Sequence, residues 1–213
     1  AWILAPVLIG LVGVGMAQAS DYAFEINTWI VNRIPWASIL YMPAGFALIA
    51  YIARRFFPGT QGSGIPQTIA VIDDPDHKKK SNLLSVKILV GKIAMLLGGL
   101  TIGASIGREG PTVQVGAYIM LAVYGYGSLR TAAQRRMLAL SGGAAGIAAA
   151  FNTPLAGIMF AMEELTKKYI FNAHSSTLLT VILSGLISMA LVGNYTYFGY
   201  TNESLSLLTN IPA

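Results

Sequence analysis

The chain has 213 residues, of which 54% are hydrophobic and 11% are charged, whereas soluble domains carry about 25% charged residues. This composition, with a mean hydropathy of +0.61, argues against a soluble domain and predicts a membrane protein. The net charge of +5 does not indicate a nucleic-acid partner, because the basic residues fall in short clusters between apolar runs, as membrane topology explains.

Six apolar runs are candidate membrane helices, at residues 1–19, 36–52, 83–106, 112–126, 137–162 and 177–192. We expect a chain that begins inside a helix, because the first run lacks a preceding basic region and starts without Met. The loop expected around Asp21 and Glu25, and the tail at 193–213, should face outward. By the positive-inside rule, four basic clusters should be cytoplasmic: Arg54 with Arg55, Lys78 with Lys79 and Lys80, Arg130 with Arg135 and Arg136, and Lys167 with Lys168.

This sidedness predicts interrupted helices. The run at 83–106 goes outward, and the chain re-enters the membrane at Gly107. The run at 137–162 must leave and return, so we predict a broken pair with Asn152 or Thr153 as a cap and Pro154 in a first helical turn. Broken and re-entrant helices are typical of transporter folds.

The segment Gly-Arg-Glu-Gly-Pro at residues 107–111 places two charges within apolar sequence. Such charges are costly in a membrane and are usually functional. Pro111 predicts a helix beginning here, and a helix N-terminus attracts anions. The Glu109 carboxylate could compete with an anion as a protonatable gate; the alternative is a structural ion pair with Arg108. We expect Arg108 to concentrate anions at the outer mouth, with Lys92 either adding to that field or snorkelling at the surface.

The segment Gly-Ser-Gly-Ile-Pro at residues 62–66 repeats this pattern. Its glycines permit close backbone approach, Ser63 supplies a hydroxyl donor, and Pro66 starts a helix. The alternative is a capped turn with Ser63 as an ordinary N-cap. The predicted anion-binding set is completed by groups from both segments: Ser63, Gly64, Ile65, Glu109 and Gly110.

Glu163 and Glu164 end the broken pair. Each has a lysine four residues later, so both could form surface ion pairs. Because neighbouring side chains on a helix point about 100° apart, one carboxylate could instead face inward and accept protons from the cytoplasm. The sequence contains no HExxH motif, no Walker A loop and only two distant histidines, so we expect no enzyme activity, metal or cofactor.

Taken together, the motifs resemble the CLC chloride channel and transporter family: residues 62–66 match GSGIP, residues 107–111 match GREGP, and residues 142–164 match its long Gly-Ala-rich stretch. The resemblance implies an all-α CLC-type membrane fold with tilted, re-entrant and broken helices. It also implies that residues 1–213 form one transmembrane domain. This domain is the first of two inverted repeats and requires the second repeat to complete the fold. The resemblance further implies that Ser63 coordinates chloride, Glu109 is the external gate, and Glu109 and Glu164 transfer protons.

Retention of Glu164 resembles the proton-coupled exchangers, whereas Gln67 stands where many relatives have Glu. The expected function is chloride/proton antiport by a multi-pass homodimer in the plasma or inner membrane. The alternatives are a passive chloride channel and a non-transporting scaffold fragment. The resemblance places the dimer contact on the helix that ends near Glu164 and on the last helix, about residues 177–192. The last helix has an apolar stripe, which could instead face lipid, formed by Leu178, Leu179, Ile182, Leu186 and Met189.

Overall fold

A computed structural model describes residues 3–74, 82–125, 131–166 and 175–193. These residues form α-helices and short 3-10 or π-helical turns, with no strand among them. The lysines at 78–80, Arg130, Lys167, Lys168 and the tail beyond Gly193 lie outside the described residues. The α-helices are α1 (Leu4–Arg33), α2 (Ser38–Phe56), α3 (Ile65–Asp73), α4 (Val86–Ile102), α5 (Glu109–Gly125), α6 (Ala132–Phe151), α7 (Pro154–Phe160) and α8 (Ser175–Val192).

Helix α1 is longer than the first apolar run. It continues unbroken to Arg33, so the predicted loop around Asp21 and Glu25 is wrong. The helix persists because Ser20, Ala23 and Asn27 are buried along one face, which continues the helical periodicity through polar sequence. The two acidic residues occupy the exposed face.

Helix α6 lies at the centre of the fold, where residues 138–150 are all buried. Its small residues allow neighbouring backbones to approach closely. A Cβ atom added to Gly146 would lie 2.5 Å from the Thr112 carbonyl oxygen of α5, and one added to Gly142 would collide with the Gly116 carbonyl oxygen. Helices α5 and α6 therefore touch through backbone atoms.

The predicted break after α6 is confirmed. Asn152 ends the helix in the left-handed conformation, at φ 55°, and Thr153 is the extended N-cap of α7. Pro154 occupies the first turn of α7. The Asn152 side chain is also held in place, because its Oδ1 accepts a hydrogen bond from the Ser188 hydroxyl.

Helix α8 packs on α6 through hydroxyl groups. Ser184 donates to the Ala145 carbonyl oxygen at 3.0 Å. The Ser188 hydroxyl lies 2.8 Å from the Ala149 carbonyl oxygen, and its single hydrogen is shared between this oxygen and Asn152 Oδ1. The opposite face of α8 is apolar and exposed, formed by Leu179, Ile182, Leu186 and Met189. The predicted stripe is therefore present, except that Leu178 is half-buried. By length and composition, α1 and the segment Pro35–Phe56 are each sufficient to cross a membrane.

Candidate anion-binding site

The N-termini of α3 and α5 meet in direct backbone contact. A Cβ atom on Gly64 would lie 2.5 Å from the Gly110 carbonyl oxygen, and one on Gly110 would lie 2.5 Å from the Ser63 carbonyl oxygen. Gly64 also has φ 115°, a conformation that favours glycine. The two motifs, which are distant in sequence, therefore form one site at which two helix dipoles present their positive ends.

Ser63 keeps its hydroxyl hydrogen available within this site. The Ile65 N–H is directed at Ser63 Oγ at 3.3 Å, so the oxygen accepts and the hydroxyl hydrogen is free to donate elsewhere. The Gly64 N–H donates to Gln67 Oε1 at 3.0 Å. The amides of Gly64 and Ile65, which we expected to bind the anion, are thus used within the turn in this structure.

Gln67 closes the turn at both ends. Its Oε1 accepts from the Gly64 N–H, and its Nε2 donates to the Gln61 carbonyl oxygen. A glutamate could make the first hydrogen bond, but an ionised carboxylate could not make the second, since it has no proton to donate. Gln67 thus has a local structural role, because as the third residue of α3 it satisfies the backbone N–H of the Gly64 N-cap.

A cavity of 580 Å³ lies beside the junction of the two helices. The first motif contributes Gly62 and Ser63 to its lining, and the second contributes Gly107 and Pro111. Lys92 of α4 also lines it. The cavity therefore brings an exposed hydroxyl and two helix N-termini to one place, and these groups can attract a small anion.

Lys92 is not a surface lysine, so the snorkelling alternative is wrong. Its side chain is 3% exposed, and its Nζ donates to the Gly62 carbonyl oxygen at 2.9 Å. The cation consequently holds the turn that carries Ser63. Lys92 lines the same cavity as Ser63, whereas Arg108 lines two other cavities.

Arg108 is buried and reaches away from the start of α5 towards α1. Its Nη1 lies 3.4 Å from Asp21 Oδ1, in an ion pair between an 8% exposed and a 58% exposed side chain. The sequence did not reveal this partner, because it lies 87 positions away in a stretch that we expected to be a loop. The sequence signal for it was weak: Asp21, with Glu25, follows an apolar run.

Glu109 is the first residue of α5 and is half-buried. Its carboxylate folds back over Gly107, since a Cβ atom added to that glycine would collide with Glu109 Oε2. Gly107 in turn lines the cavity with Ser63. The protonatable group therefore lies beside Gly107, which is part of the wall of this cavity.

Glu163 and Glu164 differ in exposure, as expected for neighbours on a helix. Glu163 is exposed and Glu164 is half-buried. Both belong to a π-helical turn, Ala161–Leu165, a distortion that often occurs at functional sites and that the sequence pattern did not predict. Among the described residues, no cluster of His, Asp and Glu could hold a metal ion.

The broken helix pair and the paired helix N-termini at a cavity define a class of all-helical membrane proteins with ion-binding sites between interrupted helices. The family described as "Voltage gated chloride channel" matches residues 45–213. The chain belongs to this family, and is therefore an integral membrane protein.

Named relatives of the chain are exchangers. It is 33% identical over 192 residues to the proteins named "H(+)/Cl(-) exchange transporter ClcA" of Salmonella arizonae and Salmonella newport. The match covers 87% of this chain and 39% of each relative. The chain thus spans less than half the length of these relatives.

Solved structures confirm the predicted fold. A crystal structure described as a slow cyanobacterial Cl-/H+ antiporter matches with a TM-score of 0.68 and 28% identity, over 90% of this chain and 46% of that one. A eukaryotic CLC transporter matches with a TM-score of 0.70 at 21% identity, over 87% and 37% of the two chains. The second likeness concerns the fold alone.

Proposed function

We propose that this chain forms the first half of a chloride/proton antiporter. The observation that carries the proposal is the backbone contact between Gly64 and Gly110, which joins two helix N-termini beside the Ser63 hydroxyl. Oriented dipoles and one hydroxyl attract an anion without binding it so tightly that it cannot leave. The exchange activity named for the relatives supports the same conclusion.

In this proposal Ser63 donates to the central chloride and Glu109 is the external gate. The ionised Glu109 carboxylate occupies an anion position at the start of α5, where the helix dipole favours negative charge. Protonation removes that charge and vacates the position, so chloride and a proton alternate. Glu164 supplies the proton from the cytoplasmic side, which agrees with its greater burial relative to Glu163.

The complete pore, meaning this chain together with a second inverted half, is required for transport. Residues 1–213 act as one transmembrane domain of a multi-pass protein in the plasma or inner membrane. Two copies assemble through the exposed stripe of α8, each with its own pathway. Chloride and protons are the transported species, and no cofactor takes part.

The complete pore reconstituted in liposomes with a chloride gradient tests the proposal. We expect chloride flow to drive protons uphill. Glu109→Gln and Glu164→Gln should each abolish proton movement but retain chloride flux, because each removes a proton-carrying carboxylate. Glu163→Gln is the matched control and should retain both fluxes.

Three other outcomes are informative. Chloride flux without proton movement in the unmodified protein would identify a passive channel. The absence of both fluxes would favour a non-transporting assembly. Uncoupling by Glu163→Gln in place of Glu164→Gln would mean that the two carboxylates have exchanged roles.

A further inference from the structure

We propose that Asp21 of α1 controls how strongly the pathway attracts chloride from the outer side, by setting the charge around Arg108. This inference rests on the proposed anion transport. Asp21 belongs to neither motif and makes its contribution from a different helix. It acts through Arg108, so it is a residue that tunes anion capture and does not bind the transported ion itself.

Asp21 is an acidic partner of Arg108, the arginine of the second motif. The carboxylate lies 3.4 Å from Arg108 Nη1, while Arg108 itself immediately precedes Glu109 at the start of α5. The pair joins α1 to the loop that leads into the site. Asp21 is 58% exposed while Arg108 is only 8% exposed, so the carboxylate is the more accessible member of the pair.

The ion pair borders a second cavity, of 260 Å³, that adjoins the larger one. Asp21, Arg108 and Ser20 line this cavity. Ile106 and Gly107 line both cavities, so one short stretch of backbone separates the ion pair from the space beside Ser63. An anion approaching from this side would meet the ion pair before it reached the helix N-termini.

Ser20 supplies an independent polar feature in the second cavity. Its side chain is 7% exposed, and its Oγ has no hydrogen-bond partner within the described ranges. A buried hydroxyl without a partner is unusual in a folded protein. Ser20 therefore adds an unsatisfied polar group to the wall of the cavity that Asp21 and Arg108 also line.

The electrostatic consequence follows from the sign and position of the two charges. A carboxylate within 4 Å of a guanidinium cancels most of the positive potential that the arginine projects beyond it. Replacing Asp21 by Asn removes the negative charge but keeps an oxygen that can accept the same hydrogen bond. The local potential then rises, and a more positive mouth increases the local concentration and capture rate of anions.

Currents across planar bilayers containing the complete pore, with chloride varied on one side at a time, test this inference. For Asp21→Asn we expect the apparent KM for chloride to fall about threefold on the Asp21 side and stay unchanged on the other. The difference should vanish in about 1 M of an impermeant salt, where the Debye length is about 3 Å.

Two further variants separate a charge effect from a structural one. Glu25→Gln removes the same charge from the exposed face of α1, one turn beyond Asp21, and should leave the KM unchanged. Arg108→Gln should raise the KM, and adding Asp21→Asn to it should then have no further effect, because the carboxylate acts through the arginine.

Each contrary result has a defined meaning. An unchanged KM in Asp21→Asn, or an equal shift in Glu25→Gln, would overturn the inference while leaving the transport proposal intact. A KM that changes equally at low and high salt would assign Asp21 a purely structural role and overturn it too. If the unmodified pore passed no chloride current, the proposed function would fail, and this inference with it.

Discussion

Helices α2 and α6 are both apolar and nearly equal in length, at 19 and 20 residues, yet they occupy opposite environments. None of α2 is buried, whereas residues 138–150 of α6 are buried throughout. α2 presents large side chains such as Leu40, Phe46 and Tyr51, while α6 carries a run of Gly, Ala and Ser. In a membrane, where lipid is as apolar as leucine, small side chains mark the buried helix because they permit close backbone packing.

The largest expected effect comes from enlarging a small residue of α6. Gly146→Leu should prevent folding, because its Cβ atom alone would lie 2.5 Å from the Thr112 carbonyl oxygen and the α5–α6 contact could not form. We expect a loss of more than about 3 kcal/mol in unfolding free energy. The yield of monodisperse protein in size-exclusion chromatography shows whether the variant folds.

The matched control for this variant lies on α2. Leu40→Ala changes a side chain that is 77% exposed and should alter stability by less than about 0.5 kcal/mol. If Gly146→Leu folded normally, or if Leu40→Ala proved as damaging, residue size would not explain the difference between the two helices.

The next effect concerns the contact between the two helix N-termini. Gly64→Ala should leave a folded protein whose chloride transport falls about tenfold or more, because a methyl group at φ 115° is strained and would push the Gly110 carbonyl oxygen away. Flux in liposomes measures the loss. Gly98→Ala is the control, since its nearest neighbour would lie at an ordinary 3.5 Å. Normal transport by Gly64→Ala would refute the role of this contact.

A smaller effect should distinguish the exposed surface of α8, which we propose forms the dimer contact, from the exposed surface of α2. Ile182→Trp combined with Leu186→Trp should convert dimers to folded monomers, because the bulky rings would disrupt the proposed contact between two copies of the α8 stripe. Cross-linking in detergent measures the change. Leu40→Trp places the same ring on α2 and should leave dimers intact. Dimers that persist in the double variant would move the interface elsewhere.

The smallest effect concerns the hydroxyl contacts between α8 and α6. Ser184→Ala should lower the unfolding free energy by about 1 kcal/mol, because Ser184 is fully buried and donates to the Ala145 carbonyl oxygen. Thermal unfolding in detergent measures it. Leu191→Ala, at a side chain 54% exposed on the same helix, should cost less. The opposite ranking would mean that α8 is held mainly by its apolar face.

Local sequence signals were sufficient for some of these features. The proline and cap residues at 152–154 predicted the helix break, because their backbone preferences act over a few residues. The two Gly-rich motifs predicted the helix starts of α3 and α5 for the same reason.

Those local signals could not predict contacts between segments that are distant in sequence. The extension of α1 depends on the burial of Ser20 and Asn27 against other helices, which overrides the polar composition of that stretch. The ion pair of Asp21 with Arg108 and the burial of Lys92 beneath Gly62 arise from packing across the fold. The π-helical turn that holds Glu164 is a departure from regular periodicity, so no periodic pattern could predict it.

The central claim, that the helix N-termini beside Ser63 bind the transported anion, is tested most directly by anomalous diffraction from crystals of the complete pore soaked in bromide. We expect anomalous density within hydrogen-bonding distance of Ser63 Oγ, in the cavity that Gly62 and Pro111 also line. Density found solely around Arg108 or Lys92 would contradict the claim, since it would mean that positive side chains, and not the junction of the two helices, hold the ion.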